Sequence, residues 1–270
     1  MRTYSEADIR DVALIGHGGA GKTSLGEAIL FDTKAVTRLG RVDEESSNLD
    51  TEPEEKKRKG TINPHVATVE WQKSKINFID TSGQGDFLVD TLVAIGAADS
   101  AVCVVSASDG VQVYTEKTWE EANERGLPRL IFINKMDRAG ANPFRVKDML
   151  RDKLGHNAWL VNYPIGAEDQ FKGCVDLLTL KAHYFDGDNG ENIRIEECPP
   201  ELLDKCKEAR HDLVGALADF DDALAEKFLE EKESDEICKE LEISASNYWV
   251  ILHRAKLQLR KCLEKNWFAA

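Results

Sequence analysis

The run Gly16-His17-Gly18-Gly19-Ala20-Gly21-Lys22-Thr23 matches the phosphate-binding pattern G-x-x-x-x-G-K-[S/T]. A short apolar run, Val12–Ile15, predicts a buried strand before it, and Lys22–Phe31 predicts a helix after it. In that context the backbone N–H groups of the turn can surround a phosphate at the positive end of the helix. We therefore expect residues 16–24, including Ser24, to bind a nucleotide. Lys22 would meet the β- and γ-phosphates, and the Thr23 hydroxyl would bind Mg²⁺.

Working outward, β-branched apolar runs alternate with amphipathic stretches along the first half of the chain. Strands that alternate with helices predict a mainly parallel sheet covered on both faces, which is an α/β fold. A turn at Lys73–Lys75 would join the first pair of further strands. The further predicted strands are Val66–Trp71, Ile76–Ile79, Ala101–Val105 and Leu130–Ile133, and Thr115–Arg125 is a predicted helix.

The tetrapeptide Asn134-Lys135-Met136-Asp137 directly follows the last of these strands and indicates which base is bound. The Asp137 carboxylate can accept two hydrogen bonds from guanine, whereas adenine would leave it unpaired, a mismatch that costs a site about 10⁴-fold in affinity. Asn134 would brace the phosphate loop, and the stem of Lys135 would cover the base. These residues favour guanine over adenine nucleotides.

The stretch Asp80-Thr81-Ser82-Gly83 ends the predicted strand Ile76–Ile79. Asp80 would face the crevice at the carboxyl ends of the parallel strands and hold Mg²⁺ through water. The Gly83 N–H could approach the γ-phosphate. Gln84, next in the chain, can both donate to and accept from a water molecule, as a residue that positions the attacking water in GTP hydrolysis must. An exposed loop glutamine is the alternative.

The composition excludes several classes of protein. The 270 residues, about 30.2 kDa, carry 35 basic and 49 acidic side chains, a net charge of −14. That charge argues against a surface devoted to nucleic acid, DNA included. The apolar run Phe87–Val105 is interrupted by Asp90 and Asp99, and the first ten residues show no signal peptide, so we expect no membrane partner. Six widely spaced cysteines fit free thiols in a cytoplasmic protein.

Together the three motifs resemble the GTP-binding domain of the translational GTPases, in particular elongation factor G and its factor G-like paralogues. The resemblance covers about residues 10–235 and includes Gly110–Arg138 and Ile165–Leu177. It implies a P-loop NTPase of the Ras-like G-domain type that binds GTP or GDP with Mg²⁺. It also implies ribosomal partners, both ribosomal RNA and stalk proteins.

By the same resemblance, Arg58-Lys59-Gly60-Thr61-Ile62 falls where the family has its first switch, with the switch threonine at Thr61. The expected metal ligands are then Thr23, Thr61 and Asp80, and the expected catalytic residues are Gln84, Thr61 and Lys22. The polar stretch before Val66 would be ordered by GTP and released after hydrolysis. A solvated surface loop is the alternative, just as the basic run Lys56–Lys59 is either an RNA contact or a solvated face.

The chain is expected to divide into three parts: a GTP-binding domain over 1–164, an inserted acidic α+β subdomain over 165–240, and a helical segment over 241–270. In the subdomain we expect the first helix to follow Pro199-Pro200 and end near Phe220. The resemblance implies a chain that ends before the last strand and helix of the G domain. The predicted subdomain strands are Gly173–Leu178, Ala182–Phe185 and Ile193–Ile195, and its second helix is Asp221–Glu233.

Four departures separate this chain from the family pattern. Gly19 stands where the phosphate loop usually has Asp, and Gln84 and Ser82 replace the usual His and Pro. The glycine of the first switch, Gly60, is displaced by one position. No Ser-Ala loop that would cover the guanine follows the basic stretch 247–266, and the earlier Ser244–Ser246 is not assigned that role.

These observations predict the GTP-hydrolysing nucleotide domain of an elongation factor G-type translation factor, which acts in ribosomal translocation. The alternative is a truncated GTP-binding module, or a factor G-like paralogue, that hydrolyses little GTP and acts through protein contacts of its acidic helices. A P-loop ATPase or kinase is a third possibility, against which Asp137 argues.

Overall fold

A computed structural model of the chain describes residues 3–155, 158–187, 190–222, 224–225 and 227–228. The predictions made for 241–270, for Ser244–Ser246 and for most of Asp221–Glu233 lie outside these residues. The described residues belong to two compact units. The first comprises Met1–Ala158, Pro164–Cys174 and Tyr184–Arg194, and the second comprises Trp159–Tyr163, Val175–His183 and Ile195–Ala270.

The described part of the first unit contains a five-stranded sheet with the order β2-β3-β1-β4-β5. Neighbouring strands run parallel except β2, which is antiparallel to β3. The predicted α/β class and the mainly parallel sheet are therefore confirmed. The strands are β1 (Ile9–Ile15), β2 (His65–Trp71), β3 (Ser74–Asp80), β4 (Ser100–Ser106) and β5 (Arg129–Asn134).

Helices cover both faces of this sheet because alternate strand residues are apolar on each side. Ala13 and Ile15 of β1 enter one core together with Ile95 and Trp119. Leu14 enters the other core, which includes Leu30 of the first helix and Phe78 of β3. The helices of the first unit are α1 (Lys22–Asp32), α2 (Pro53–Arg58), α3 (Leu88–Gly96), α4 (Val113–Glu124) and α5 (Pro143–Leu154).

Four further strands form a second sheet with the order β6-β7-β8-β9 among the described residues. A long helix, α6 (Pro200–Ala218), follows them and begins directly after Pro199, as the sequence predicted. Among the residues that the structure describes, no helix is both long and apolar enough to cross a membrane. The strands are β6 (Asn162–Ile165), β7 (Gly173–Asp176), β8 (Lys181–Asp186) and β9 (Asn192–Glu197).

Two local predictions differ from the structure. The turn between β2 and β3 lies at Gln72 and Lys73, not at Lys73–Lys75, because Gln72 adopts a positive φ of 53° and reverses the chain within two residues. The polar stretch before β2 is not a uniformly solvated loop. It contains α2 and the buried residues Asp50, Glu55 and Thr61. We call residues 33–64, between α1 and β2, the switch segment.

Candidate functional site

The phosphate loop, Gly16–Thr23, leaves the carboxyl end of β1 and leads into α1. At Gly21 the backbone has φ +99°, and a Cβ there would collide with the Asn134 side chain, so glycine is required. The Asn134 side chain, at the end of β5, donates a hydrogen bond of 2.9 Å to the carbonyl of Ala20. One amide at the carboxyl edge of the sheet thus braces the loop.

Lys22 is 5% exposed, and its ammonium donates to the carbonyls of Gly16 (2.9 Å) and His17 (3.1 Å). Burial lowers the pKa of Lys22 to about 8, although the Asp80 carboxylate opposes the shift. The lysine stem therefore extends along the inside of the loop and brings its charge to the concave face that a phosphate would occupy. This is the position that the motif predicts.

Oxygen atoms from three elements meet beside the loop. The Thr23 hydroxyl of α1 lies 2.9 Å from the Thr61 hydroxyl of the switch segment. Thr61 in turn lies 2.9 Å from Asp50 Oδ1 and 3.3 Å from Asp80 Oδ2 at the end of β3. The structure therefore brings together the three residues predicted to bind Mg²⁺, and adds Asp50, which the sequence analysis did not assign.

The electrostatics of this cluster suit a cation. Burial raises the pKa of Asp80 to about 6 despite the opposing charge of Lys22, and burial also raises the pKa of Asp50. One buried oxygen of each carboxylate, Oδ1 of Asp80 and Oδ2 of Asp50, has no hydrogen-bond partner among the described residues. Because hydroxyl and carboxylate oxygens are ligands that Mg²⁺ prefers, these residues fit the predicted metal.

Gly83 and Gln84 follow the Asp80 strand end. A Cβ at Gly83 would collide with the backbone of Gly18 and the ammonium of Lys22, so this glycine allows the loop after β3 to approach the phosphate loop. Gln84 is exposed, and its side chain lies at the cleft described below. Its backbone N–H donates to the Ser82 hydroxyl at 3.3 Å. The side chain is thus accessible to water, which is consistent both with a positioning role and with the alternative of an exposed loop glutamine.

A cleft of about 680 Å³ opens between the phosphate loop and the switch segment. The predicted residues that line it include Lys22, Thr23, Thr61, Gln84 and Lys135. Asp137 follows Lys135 and Met136 but is exposed and does not line the cleft in this structure. Asn134 and Lys135 of the guanine motif therefore lie beside the cleft. The Asp137 carboxylate, which is expected to bind the base, lies outside the cleft lining.

One wall of the cleft was not predicted. It is formed by Leu39–Glu44, with Lys59 and Arg138 beside it. The Lys59 ammonium donates to the carbonyl of Asp43 at 2.9 Å and so connects the part of the switch segment before α2 to the part after it. No sequence motif marks Leu39–Glu44, so only the folded chain reveals this wall.

The switch segment is attached to α1 through a buried carboxylate. Glu27 of α1 is fully buried, and its Oε1 accepts hydrogen bonds from the Ser47 hydroxyl (2.7 Å) and from the backbone N–H groups of Asn48 (2.5 Å) and Leu49 (2.9 Å). Its Oε2 accepts from the Asn48 amide at 2.7 Å. No sequence pattern marks this residue, because a glutamate in a helix is usually solvated.

A second buried carboxylate organises the other end of the switch segment. Glu55 of α2 is fully buried, and its Oε1 accepts from the backbone N–H groups of Ile62 (2.8 Å) and Asn63 (3.0 Å) and contacts His65 Nε2 (2.9 Å). Burial alone would raise the pKa of Glu55, but the hydrogen bonds from His65, Ile62 and Asn63 outweigh it and lower the pKa. The ionised form is therefore the stable one.

His17, inside the phosphate loop, connects the loop to α4. Its Nδ1 lies 3.0 Å from the Thr115 hydroxyl, and its Nε2 lies 4.0 Å from Asp109 Oδ2. Burial lowers the pKa of His17 to about 4, with the charges of Lys22 and Lys135 acting in the same direction and Asp109 opposing them. The imidazole is therefore neutral at physiological pH.

The described cysteines are free, and Cys103 of β4 is a fully buried core residue, as predicted. Burial raises its pKa to about 12. Cys238 and Cys262 lie outside the described residues.

Within the described part of the chain, no three His, Cys, Asp or Glu side chains form a metal-binding group. A Mg²⁺ site would therefore depend on the threonine hydroxyls described above.

Comparisons with known proteins agree with this geometry. A family profile described as the elongation factor Tu GTP binding domain matches residues 7–264. Elongation factor G of Petrotoga mobilis is 39% identical over 232 residues, which is 86% of this chain and 33% of that protein. A crystal structure of a Thermus thermophilus protein superposes with a TM-score of 0.76 and 36% identity, covering 83% of this chain and 33% of the other.

This chain thus spans about a third of the length of the relatives that it matches. The similarity confirms the predicted P-loop G-domain fold. It supports the prediction of a translational GTPase and does not favour the alternative over it.

Proposed function

Since the chain belongs to the family of elongation factor Tu GTP-binding domains, we propose that it binds GTP and GDP with Mg²⁺ and hydrolyses GTP. One observation carries this proposal: Lys22, Thr23 and Thr61 line one cleft, and the Asp80 carboxylate at the end of β3 lies 3.3 Å from the Thr61 hydroxyl. A buried cation beside two hydroxyls and a carboxylate is the arrangement that a nucleoside triphosphate and its metal require.

In the proposed reaction a water molecule attacks the γ-phosphate in line with the leaving oxygen. Gln84, exposed at the cleft, and the Thr61 backbone hold this water. Lys22 places positive charge against the β- and γ-phosphates as negative charge develops there. Thr23, Thr61 and Asp80 would hold Mg²⁺, which supplies further neutralisation of the phosphate charge when bound.

The proposed setting is the cytoplasmic ribosome, because the similarity to Elongation factor G extends over most of the chain. The residues proposed to face ribosomal RNA are the basic residues at the end of α2, Lys57 and Arg58, which are exposed. The acidic segment proposed as an inserted subdomain, 165–240, would face the stalk proteins, and 1–164 would be the G domain. Translocation is proposed only for a protein of the relatives' full length, of which this chain spans about a third.

GTP turnover by the 270-residue chain, measured with and without ribosomes, tests this function. We expect ribosomes to stimulate turnover. Gln84→Ala should reduce the stimulated rate by about 100-fold, since the residue that orients the water is lost. Gln170→Ala, at another exposed glutamine, is the matched control and should leave the rate unchanged. A wild-type rate that neither ribosomes nor Gln84→Ala alters would contradict the proposal.

A further inference from the structure

Glu55 contacts the chain on both sides of the switch threonine. Its backbone carbonyl accepts a hydrogen bond from the N–H of Gly60 at 3.1 Å. Its side-chain Oε1 accepts from the N–H groups of Ile62 (2.8 Å) and Asn63 (3.0 Å). The residue before Thr61 and the two residues after it are therefore all bound to this one glutamate.

The Glu55 carboxylate is sequestered from water. Its second oxygen, Oε2, accepts from the N–H of Glu52 (3.2 Å), and His65 Nε2 lies 2.9 Å from both oxygens. With the residue fully buried, removing the carboxylate would leave several buried donors without a partner. The loss acts first on the loop that carries those donors.

That loop carries Thr61, whose hydroxyl lies 2.9 Å from both Thr23 Oγ1 and Asp50 Oδ1. The phosphate loop, by contrast, has no hydrogen bond to Glu55 among the described residues. Moving the Thr61 loop would therefore disturb the part of the cleft that faces a γ-phosphate and leave the part that holds the other phosphates in place.

We propose that Glu55 is a positioning residue that holds Thr61 in the geometry required by a nucleoside triphosphate. It discriminates GTP from GDP without touching either nucleotide. This inference rests on the proposed function. The residue responsible for the discrimination would then lie in α2, a helix within the switch segment. The phosphate loop is held by its backbone geometry, whereas the loop around Thr61 is held by the buried Glu55 carboxylate.

The test compares the affinities of the full chain for GDP and for a non-hydrolysable GTP analogue, both in Mg²⁺. Glu55→Ala should lower the affinity for the GTP analogue at least about tenfold and change that for GDP less than about twofold. Glu55→Gln keeps the size and one acceptor oxygen, and should lower the GTP-analogue affinity about threefold. It decides the question if the alanine variant does not fold. Glu54→Gln is the control, because Glu54 is exposed and bonds the Arg58 side chain at 2.8 Å.

Equal losses of affinity for the two nucleotides in the Glu55 variants would indicate a general structural role and overturn the inference. Unchanged affinity for both would overturn it as well. In either case the proposed function stands as long as the wild-type chain binds both nucleotides. A wild-type chain that binds neither GDP nor the GTP analogue overturns the proposed function and this inference together.

Discussion

The two walls of the cleft are built by different means. The phosphate loop is fixed mostly by local backbone geometry, with glycines at positive φ and a lysine bonded to its own loop carbonyls, and in addition by the Asn134 side chain. The switch segment is fixed by side chains, since Glu27 and Glu55 reach from helices to backbone groups as far as 22 residues away. The first wall therefore depends mainly on short-range geometry, whereas the second wall depends on a few buried carboxylates.

This difference suits a switch. A loop held by its own backbone can bind phosphate in every nucleotide state. A segment held by a few side-chain hydrogen bonds can be released when the γ-phosphate contacts are lost, because only those few bonds need to break. Substitutions in the two walls should therefore have different effects.

The largest effect is expected in the phosphate loop. Lys22→Met should lower the affinity for GDP at least about 100-fold, because it removes a buried charge-assisted contact to phosphate. The same change should stabilise the nucleotide-free protein at pH 7 by about 3 kcal/mol, because burying a cation whose pKa is lowered to about 8 costs folding energy below that pH. Calorimetric titration and urea unfolding measure the two quantities.

Lys73→Met, an exposed lysine in the turn between β2 and β3, is the control and should change neither quantity. A Lys22→Met protein that still binds GDP as the wild type does would mean that the phosphate loop does not bind the phosphates.

A more local effect, on the stability of the fold and not on phosphate binding, is expected in the switch segment. Glu27→Ala should lower the free energy of unfolding by about 3 kcal/mol, since buried donors lose their acceptor. Amide hydrogen exchange at Asn48 and Leu49 should accelerate strongly, while exchange in the phosphate loop stays within about threefold. Glu120→Ala, at an exposed position of α4, is the control. Equal acceleration in both walls would contradict the difference between them.

The smallest effect is a pH dependence in the phosphate loop. The pKa of His17 is about 4 in the folded protein and 6.5 in the unfolded chain, so its contribution to stability is complete above pH 6.5 and is lost as the pH falls through 4. Urea unfolding at about pH 7 and about pH 4.5 should show a loss of about 2 kcal/mol that His17→Gln reduces. His183→Gln on β8 is the control. An equal loss in His17→Gln would assign the pH dependence to other groups.

The same contrast explains what the sequence could predict. The phosphate loop and the mainly parallel sheet follow from contiguous sequence patterns, because each pattern carries its own geometry, and Thr23 and Asp80 belong to such patterns. Thr61 was predicted only through the resemblance to the translational GTPases. Glu27 and Glu55 carry no such signal. Their burial depends on backbone donors brought close by folding, and a glutamate beside Lys56 and Lys57 gives the pattern of a solvated helix. The exposure of Asp137 could not be predicted either, since its motif predicts contact with the base.

The most direct measurement is a calorimetric titration of the wild-type chain with GDP and with ADP in Mg²⁺, repeated with Asp137→Asn and xanthosine diphosphate. We predict one site for GDP, at least about 100-fold weaker binding of ADP, and a shift of preference toward the xanthine nucleotide in the variant. Equal affinity for GDP and ADP, or no binding of either, would contradict the assignment of this cleft to guanine nucleotides.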